Sequence, residues 1–269
     1  MNLSIVMASI VASLATSFSL TPMDYLKTQQ QINHKSIRHN IQQIYIKGGI
    51  CGFWTGGRQT LMHSIPSTTI YLTSYQYLQD QRHEQSTFVS GAMARLISII
   101  FTSPFELLKT QSQARSSFGG LSKIATRQSL YQAFTLNVIR DVPFSAIYWA
   151  LLVEIKKGVV HYNRGSGEEV SFMLNLISGY TAGSITAFVT CPLDVIKTKC
   201  SIHNPRQYST TTPYTEGMRI IRNDGIRGLF AGVVARMLRV GLGCGLLISI
   251  FDSIVVAPHR ATHRRNTSS

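Results

Sequence analysis

The chain has 269 residues, and its 26 Lys+Arg against 12 Asp+Glu give a net charge of +14 and a pI near 9.9. The basic residues form no tract and are not interleaved with an aromatic platform, which argues against nucleic-acid binding, and the length allows one large domain or two modest ones. A mean hydropathy of +0.09 decides nothing by itself, so the informative quantity is where charge is missing.

Residues 1–23 contain no Asp, Glu, Lys or Arg and are long enough to cross a bilayer, which takes roughly 20 helical residues. They do not read as a secretory signal. No basic stretch precedes the apolar run, and Pro22-Met23-Asp24 follows it in place of a small-residue cleavage site. A polar loop with the amphipathic piece SIRHNIQQIYI (36–46) leads to a second charge-free span at 59–79. The third span, 85–105, carries Arg95 alone, and the fourth, 128–153, carries Arg140 and Asp141. The fifth, 170–193, is again free of charge, and YTEGMRIIRN (214–223) after it suits a short interfacial helix. The sixth, 228–251, holds Arg236 and Arg239. The expectation is an all-α membrane protein with six transmembrane helices, plainly apolar at 1–23, 59–79 and 170–193. Cys51, Cys191, Cys200 and Cys244 show neither metal spacing nor a disulfide framework, so buried thiols and no cofactor are expected.

The six spans are three copies of one unit. TPMDYLKTQ (21–29), SPFELLKTQ (103–111) and CPLDVIKTK (191–199) each place an acid two residues after Pro and a base three further on. Pro22, Pro104 and Pro192 stand 82 and 88 residues apart, and each copy closes a span. A second match, WTGGRQTLMHSIP (54–66), YQAFTLNVIRDVP (131–143) and FAGVVARMLRVGL (230–242), opens the even spans. The units are 1–80, 85–158 and 170–257, followed by a polar basic tail at 258–269.

These motifs resemble the signature of the mitochondrial carrier family, a Px[DE]xx[KR] element followed by acid-Gly and aromatic-basic-Gly. The resemblance covers nearly the whole chain. It departs in repeat one, where Lys47 precedes Gly48, and in repeat two, which lacks the acid-Gly; repeat three keeps Asp224-Gly225 and Phe230-Ala231-Gly232. The resemblance implies six tilted helices in three tandem two-helix repeats, with pseudo-threefold symmetry around a water-accessible cavity. It also implies the mitochondrial inner membrane, transport without enzymatic chemistry, a monomer, and contact with lipid such as cardiolipin. Asp24, Glu106 and Asp194 would pair with Lys109, Lys197 and Lys27 of neighbouring repeats to close a matrix gate, braced by Gln29 and Gln111. On the opposite side, equal distances down the repeats give Tyr75-Gln76…Gln79, Leu152-Val153…Lys156 and Phe251-Asp252…Val255, so Lys156 and Asp252 are the expected charged pair.

Between the gates the repeats disagree. His63, Arg140 and Arg239 align, each seven residues past the aligned small residue, about 10 Å along a helix. The following positions are Ser64, Asp141 and Val240. An asymmetric ligand on the axis requires such disagreement, and ionisable groups inside the bilayer are functional candidates by default. In carriers this height is the substrate-contact layer. Adjacent helical residues diverge by about 100°, which favours a shared cavity corner for Arg140 and Asp141 over mutual neutralisation. Arg236 and Arg95 join the candidate set. Arginines for carboxylates and Asp141 for an ammonium describe a small molecule bearing both. GRQTLMHSIPSTTIYLTSYQYL, RDVPFSAIYW and GLFAGVVARML resemble the branch containing glutathione carriers and manganese-trafficking-factor-like proteins. The expected function is therefore glutathione import, with a glycine-type amino-acid or carnitine carrier, or one affecting manganese or iron homeostasis, as alternatives. Arg239 stands where that branch commonly has Lys.

Overall fold

The structure is a computed structural model, and it describes residues 3–33, 41–42, 45–46, 49, 57–81, 87–117, 127–162, 168–202, 213–230 and 232–267. Among them are eight long helices: α1 (Leu3–Asn33), α2 (Gly57–Gln81), α3 (Thr87–Ser117), α4 (Arg127–Tyr162), α5 (Glu168–Val189), α6 (Cys191–Ile202), α7 (Pro213–Gly228) and α8 (Val233–Thr267). No strand occurs among the described residues. The third signature Pro, Pro192, stands at a break. The helix stops at Val189 and resumes at Cys191, so α5 and α6 are two halves of one span.

Hydroxyls stand beside all three signature prolines. Thr21 donates to the Ser17 carbonyl, Ser103 to that of Ile99 and Thr190 to that of Thr186, each four residues back. Such bonds compete with the helical ladder and bend it, and the proline ring removes one rung more. The segment 214–223 lies within α7, as its amphipathic pattern predicts; of 36–46 only 41–42 and 45–46 are described. Gly225 and Gly232 both have positive φ, 67° and 75°; the first kinks α7 near its end and the second lets the chain turn into α8. Helix α8 runs through most of the segment set apart as a tail.

The helices close a ring. α1 packs on α2, α2 on α3, α3 on α4, α4 on α5, α5 on α8, and α8 back on α1. Matching residues of the three repeats form layers. Ala12, Ala94 and Ala182, each ten residues before its signature proline, are all completely buried. So are, nearly, Leu72, Trp149 and Ile248, and then Tyr75, Leu152 and Phe251.

One expectation is corrected. Among the described residues the helical stretches apolar and long enough to cross a membrane are Ser4–Pro22, Phe172–Val189 and Gly225–Val255, so 59–79 is not one of the plainly apolar spans. Absence of charge is not hydrophobicity. α2 is full of Ser, Thr, Gln and Tyr, and some of its polar groups meet neighbouring helices: Ser17 bonds Ser64 and Ser98 bonds the Ser67 carbonyl. A helix that meets its neighbours through hydroxyls needs less apolar surface than one facing lipid all round.

α5 packs closely on α8 along a seam of Gly179 and Gly183 against Gly241 and Gly245. A methyl group added at Gly245 would lie 2.8 Å from the Leu176 carbonyl oxygen and 3.2 Å from the Tyr180 nitrogen, both backbone atoms that cannot step aside. Gly245→Val is therefore expected to destabilise the protein by about 1–3 kcal/mol, the usual range for overpacking, read as a lower midpoint in thermal unfolding of detergent-purified protein. Gly158→Ala, where nothing lies within 4 Å of the added carbon, should leave that midpoint nearly unchanged.

Candidate functional site

Halfway along the helices the isolated charges find one another. Asp141 on α4 is 8 % exposed, and both its oxygens are engaged. Oδ1 accepts from Arg140 Nε, and Oδ2 lies 3.5 Å from the Nη2 of Arg95 on α3. The Arg95 guanidinium also lies over the Tyr71 ring, 5.0 Å from its centre, a cation–π contact across to α2. The other end of Arg140 reaches Asp194 on α6, with Nη1 3.6 Å from Oδ1. Asp194 Oδ2 is 3.4 Å from Nε of Arg236 on α8, and Arg236 donates to Thr190 Oγ1 at 3.1 Å. The result is one alternating chain, Arg95–Asp141–Arg140–Asp194–Arg236, that links α3, α4, α6 and α8.

The physical reason is the cost of burial. A lone charge at this depth is expensive, and breaking a buried pair by removing one partner costs about 3–5 kcal/mol. Three guanidiniums and two carboxylates nearly cancel, and the remainder is positive. The arrangement can receive an anion.

The structure corrects the argument that helical divergence keeps Arg140 and Asp141 from pairing. They bond directly, because a long arginine side chain curls across the 100° that separates neighbouring Cβ atoms. The pairing is not mere neutralisation either, since the same guanidinium also serves Asp194. His63 on α2 and Arg239 on α8 are half-buried, the latter three residues beyond Arg236.

Of the expected matrix gate, the side chains of Asp24, Lys27, Gln29, Glu106, Lys109 and Gln111 lie outside the described residues. Asp194 and Lys197 are described, and both reach even helices: Asp194 to Arg140 and Arg236, Lys197 to the Asn137 side-chain oxygen.

On the opposite side Lys156 and Asp252 form an ion pair between α4 and α8. The larger feature there is aromatic. Tyr75 stacks on Trp149 with ring centres 3.5 Å apart, the Trp149 indole donates to the Tyr71 hydroxyl at 2.7 Å, and Tyr71 and Ser145 share a hydrogen bond. Ser145 in turn donates to the Gly91 carbonyl at 2.8 Å. These bonds tie α2, α3 and α4 together above the charged chain. Reading by charge passed over Tyr71, Ser145 and Trp149, along with Asn137 and Thr190 in the layer below. The available signal was RDVPFSAIYW itself, where Ser145 and Trp149 are spaced four apart on one helical face.

A family model described as mitochondrial carrier protein matches residues 2–86, 80–163 and 168–257. Among curated proteins the chain is 30% identical to mitochondrial substrate carrier family protein H of Dictyostelium discoideum, over 93% of this chain and 88% of that protein. It is 28% identical to a mitochondrial glutathione transporter of Xenopus tropicalis, over 91% of this chain and 89% of the relative. The human mitochondrial glutathione transporter of the same name is 31% identical over 76% of this chain and 66% of its own length.

The geometry ranks the two elements of the outer closure. Trp149→Ala removes a stacked, hydrogen-bonded core side chain and is expected to cost about 3–5 kcal/mol. Lys156→Gln breaks a half-exposed ion pair and is expected to cost about 0–1 kcal/mol. Thermal unfolding of the two variants should show the larger drop for Trp149→Ala; equal drops would reverse the ranking.

Proposed function

This chain belongs to the mitochondrial carrier protein family, and from that membership we propose that its cargo is glutathione, imported into the matrix by alternating access through the mid-helix site. It is a multi-pass protein of the mitochondrial inner membrane that moves a small molecule and performs no covalent chemistry. The observation that supports the cargo is the charge of the chain Arg95–Asp141–Arg140–Asp194–Arg236, which holds one more guanidinium than carboxylate. Glutathione has two carboxylates and one ammonium, so its net charge is opposite to that of this chain of residues. The names of the frog and human relatives point the same way.

In this reading Arg140 and Arg236 meet carboxylates, with Arg239 three residues beyond. Asp141 holds Arg95 and Arg140 in place and meets the substrate ammonium by exchanging it for Arg95, whose contact is the longer of its two. His63 contributes from α2. The aromatic layer of Tyr71, Tyr75 and Trp149 seals the intermembrane side while cargo passes to the matrix. Exposed apolar side chains such as Phe18, Met62, Phe101 and Phe188 face lipid around a monomer, with cardiolipin among the lipids.

Protein reconstituted in liposomes should take up labelled glutathione saturably, and glycine or carnitine weakly or not at all. Uptake of glycine or carnitine without glutathione would reject the cargo. Asp141→Asn is expected to lower glutathione uptake at least about tenfold, because it leaves two buried guanidiniums short of a partner. Unchanged turnover would remove Asp141 from the site.

A further inference from the structure

Asp194 is held in an unusual way for a residue of a gate motif. Its two oxygens are divided between two arginines from two other helices, Oδ1 at 3.6 Å from Arg140 and Oδ2 at 3.4 Å from Arg236. Each of those arginines is fixed on another side, Arg140 by Asp141 and Arg236 by Thr190. Both therefore present a remaining N–H edge to one point, and a carboxylate stands at that point. Two anchored guanidiniums, one for each oxygen, are a recognition geometry for carboxylates in general.

The repeat register adds an independent observation. Arg236 and Asn137 are equivalent positions, each four residues past the aligned small residue of its repeat. Arg236 holds the acid of the third signature, and Asn137 accepts from its base, Lys197. The acid and the signature base of CPLDVIKTK, Asp194 and Lys197, are thus held by even helices at one height, beneath a packed aromatic layer.

We propose that Arg140 and Arg236 form the carboxylate subsite of the transport path, and that Asp194 occupies it as an internal surrogate. An arriving substrate carboxylate takes the place of Asp194 on the two arginines and releases Asp194 to the gate. The inference rests on the reading of the cargo as a carboxylate-bearing solute, but not on glutathione in particular. Exchange of one carboxylate for another keeps the number of buried charges and of their partners constant, so the arginines are never left bare at mid-membrane. A solute without a carboxylate cannot make the exchange, so it leaves the gate acid captured. Selection and gate release are in this way one event, and the driving force is the difference in affinity between the two carboxylates for the same clamp.

The test uses full-length protein purified in detergent. Without any solute, Asp194→Asn and Arg236→Gln are compared singly and together in thermal unfolding. Each removes the same ion pair, so the double variant should fall less than the two single drops added; strict additivity would overturn the proposal. With solute, Asp194→Asn frees the clamp and should bind glutathione at about tenfold lower concentration than the wild type does, the effect expected if Asp194 fills the subsite about nine-tenths of the time. Exchange by the same variant in liposomes should slow, since the gate has lost its acid. A residue that served the gate alone would slow exchange without tightening binding, and that result would also overturn the proposal. If the wild type binds glycine or carnitine and not glutathione, the cargo assignment fails separately. The comparison run with the bound carboxylate then decides the subsite, and glycinamide, which lacks the carboxylate, should bind neither protein.

Discussion

A charge inside a bilayer must have a partner, and most of what distinguishes this protein follows from how that requirement is met. Three arginines and two aspartates drawn from four helices satisfy one another in sequence, from Arg95 to Arg236. None of the five could be placed at that depth alone. Because each pair crosses a helix–helix boundary or joins neighbours on α4, the chain also acts as a tie between repeats. The same ionic contacts hold the helices in one arrangement and, in the proposed reading, are those that a solute displaces.

The two ends of the molecule solve their sealing problem differently. Above the charged layer, closure depends on side chains that need no counter-ion: Tyr75 on Trp149, with Leu152 and Phe251 completing the level. The Lys156–Asp252 pair is an addition to that packing. Stacked rings bury large apolar areas and, unlike an ion pair, are not screened by salt. Below the charged layer, the third signature gives up its acid and base to Arg236 and Asn137. One side of the path thus depends on shape and the other on charge.

Much of the fold was legible because the chain repeats itself. A signature that recurs at nearly equal spacing, each time at the end of an apolar run, specifies both the number of units and their common height. The positions of Arg95, Arg140, Asp141 and Arg236 were legible too, since a charge in an apolar run is conspicuous. Their partners were not. Which carboxylate Arg140 reaches depends on the reach of a flexible side chain and on where α6 lies relative to α4, and neither is a local property. The aromatic layer was missed for a related reason. Tyr75, Leu152 and Phe251 occupy equivalent positions but share no chemistry beyond bulk, so a comparison keyed to charge shows only gaps there. The misjudged span 59–79 has a third cause: counting charges overlooks hydroxyls, and α2 is rich in them.

The glycine seam between α5 and α8 bears on how the molecule moves. With Gly179 and Gly183 set against Gly241 and Gly245, backbone approaches backbone closely, and Cys244, Ser184 and Tyr180 fill the space beside it. Such close packing favours movement of α5 and α8 as a pair. Asp194 lies on α6, past the break that ends α5, and so stands outside that seam.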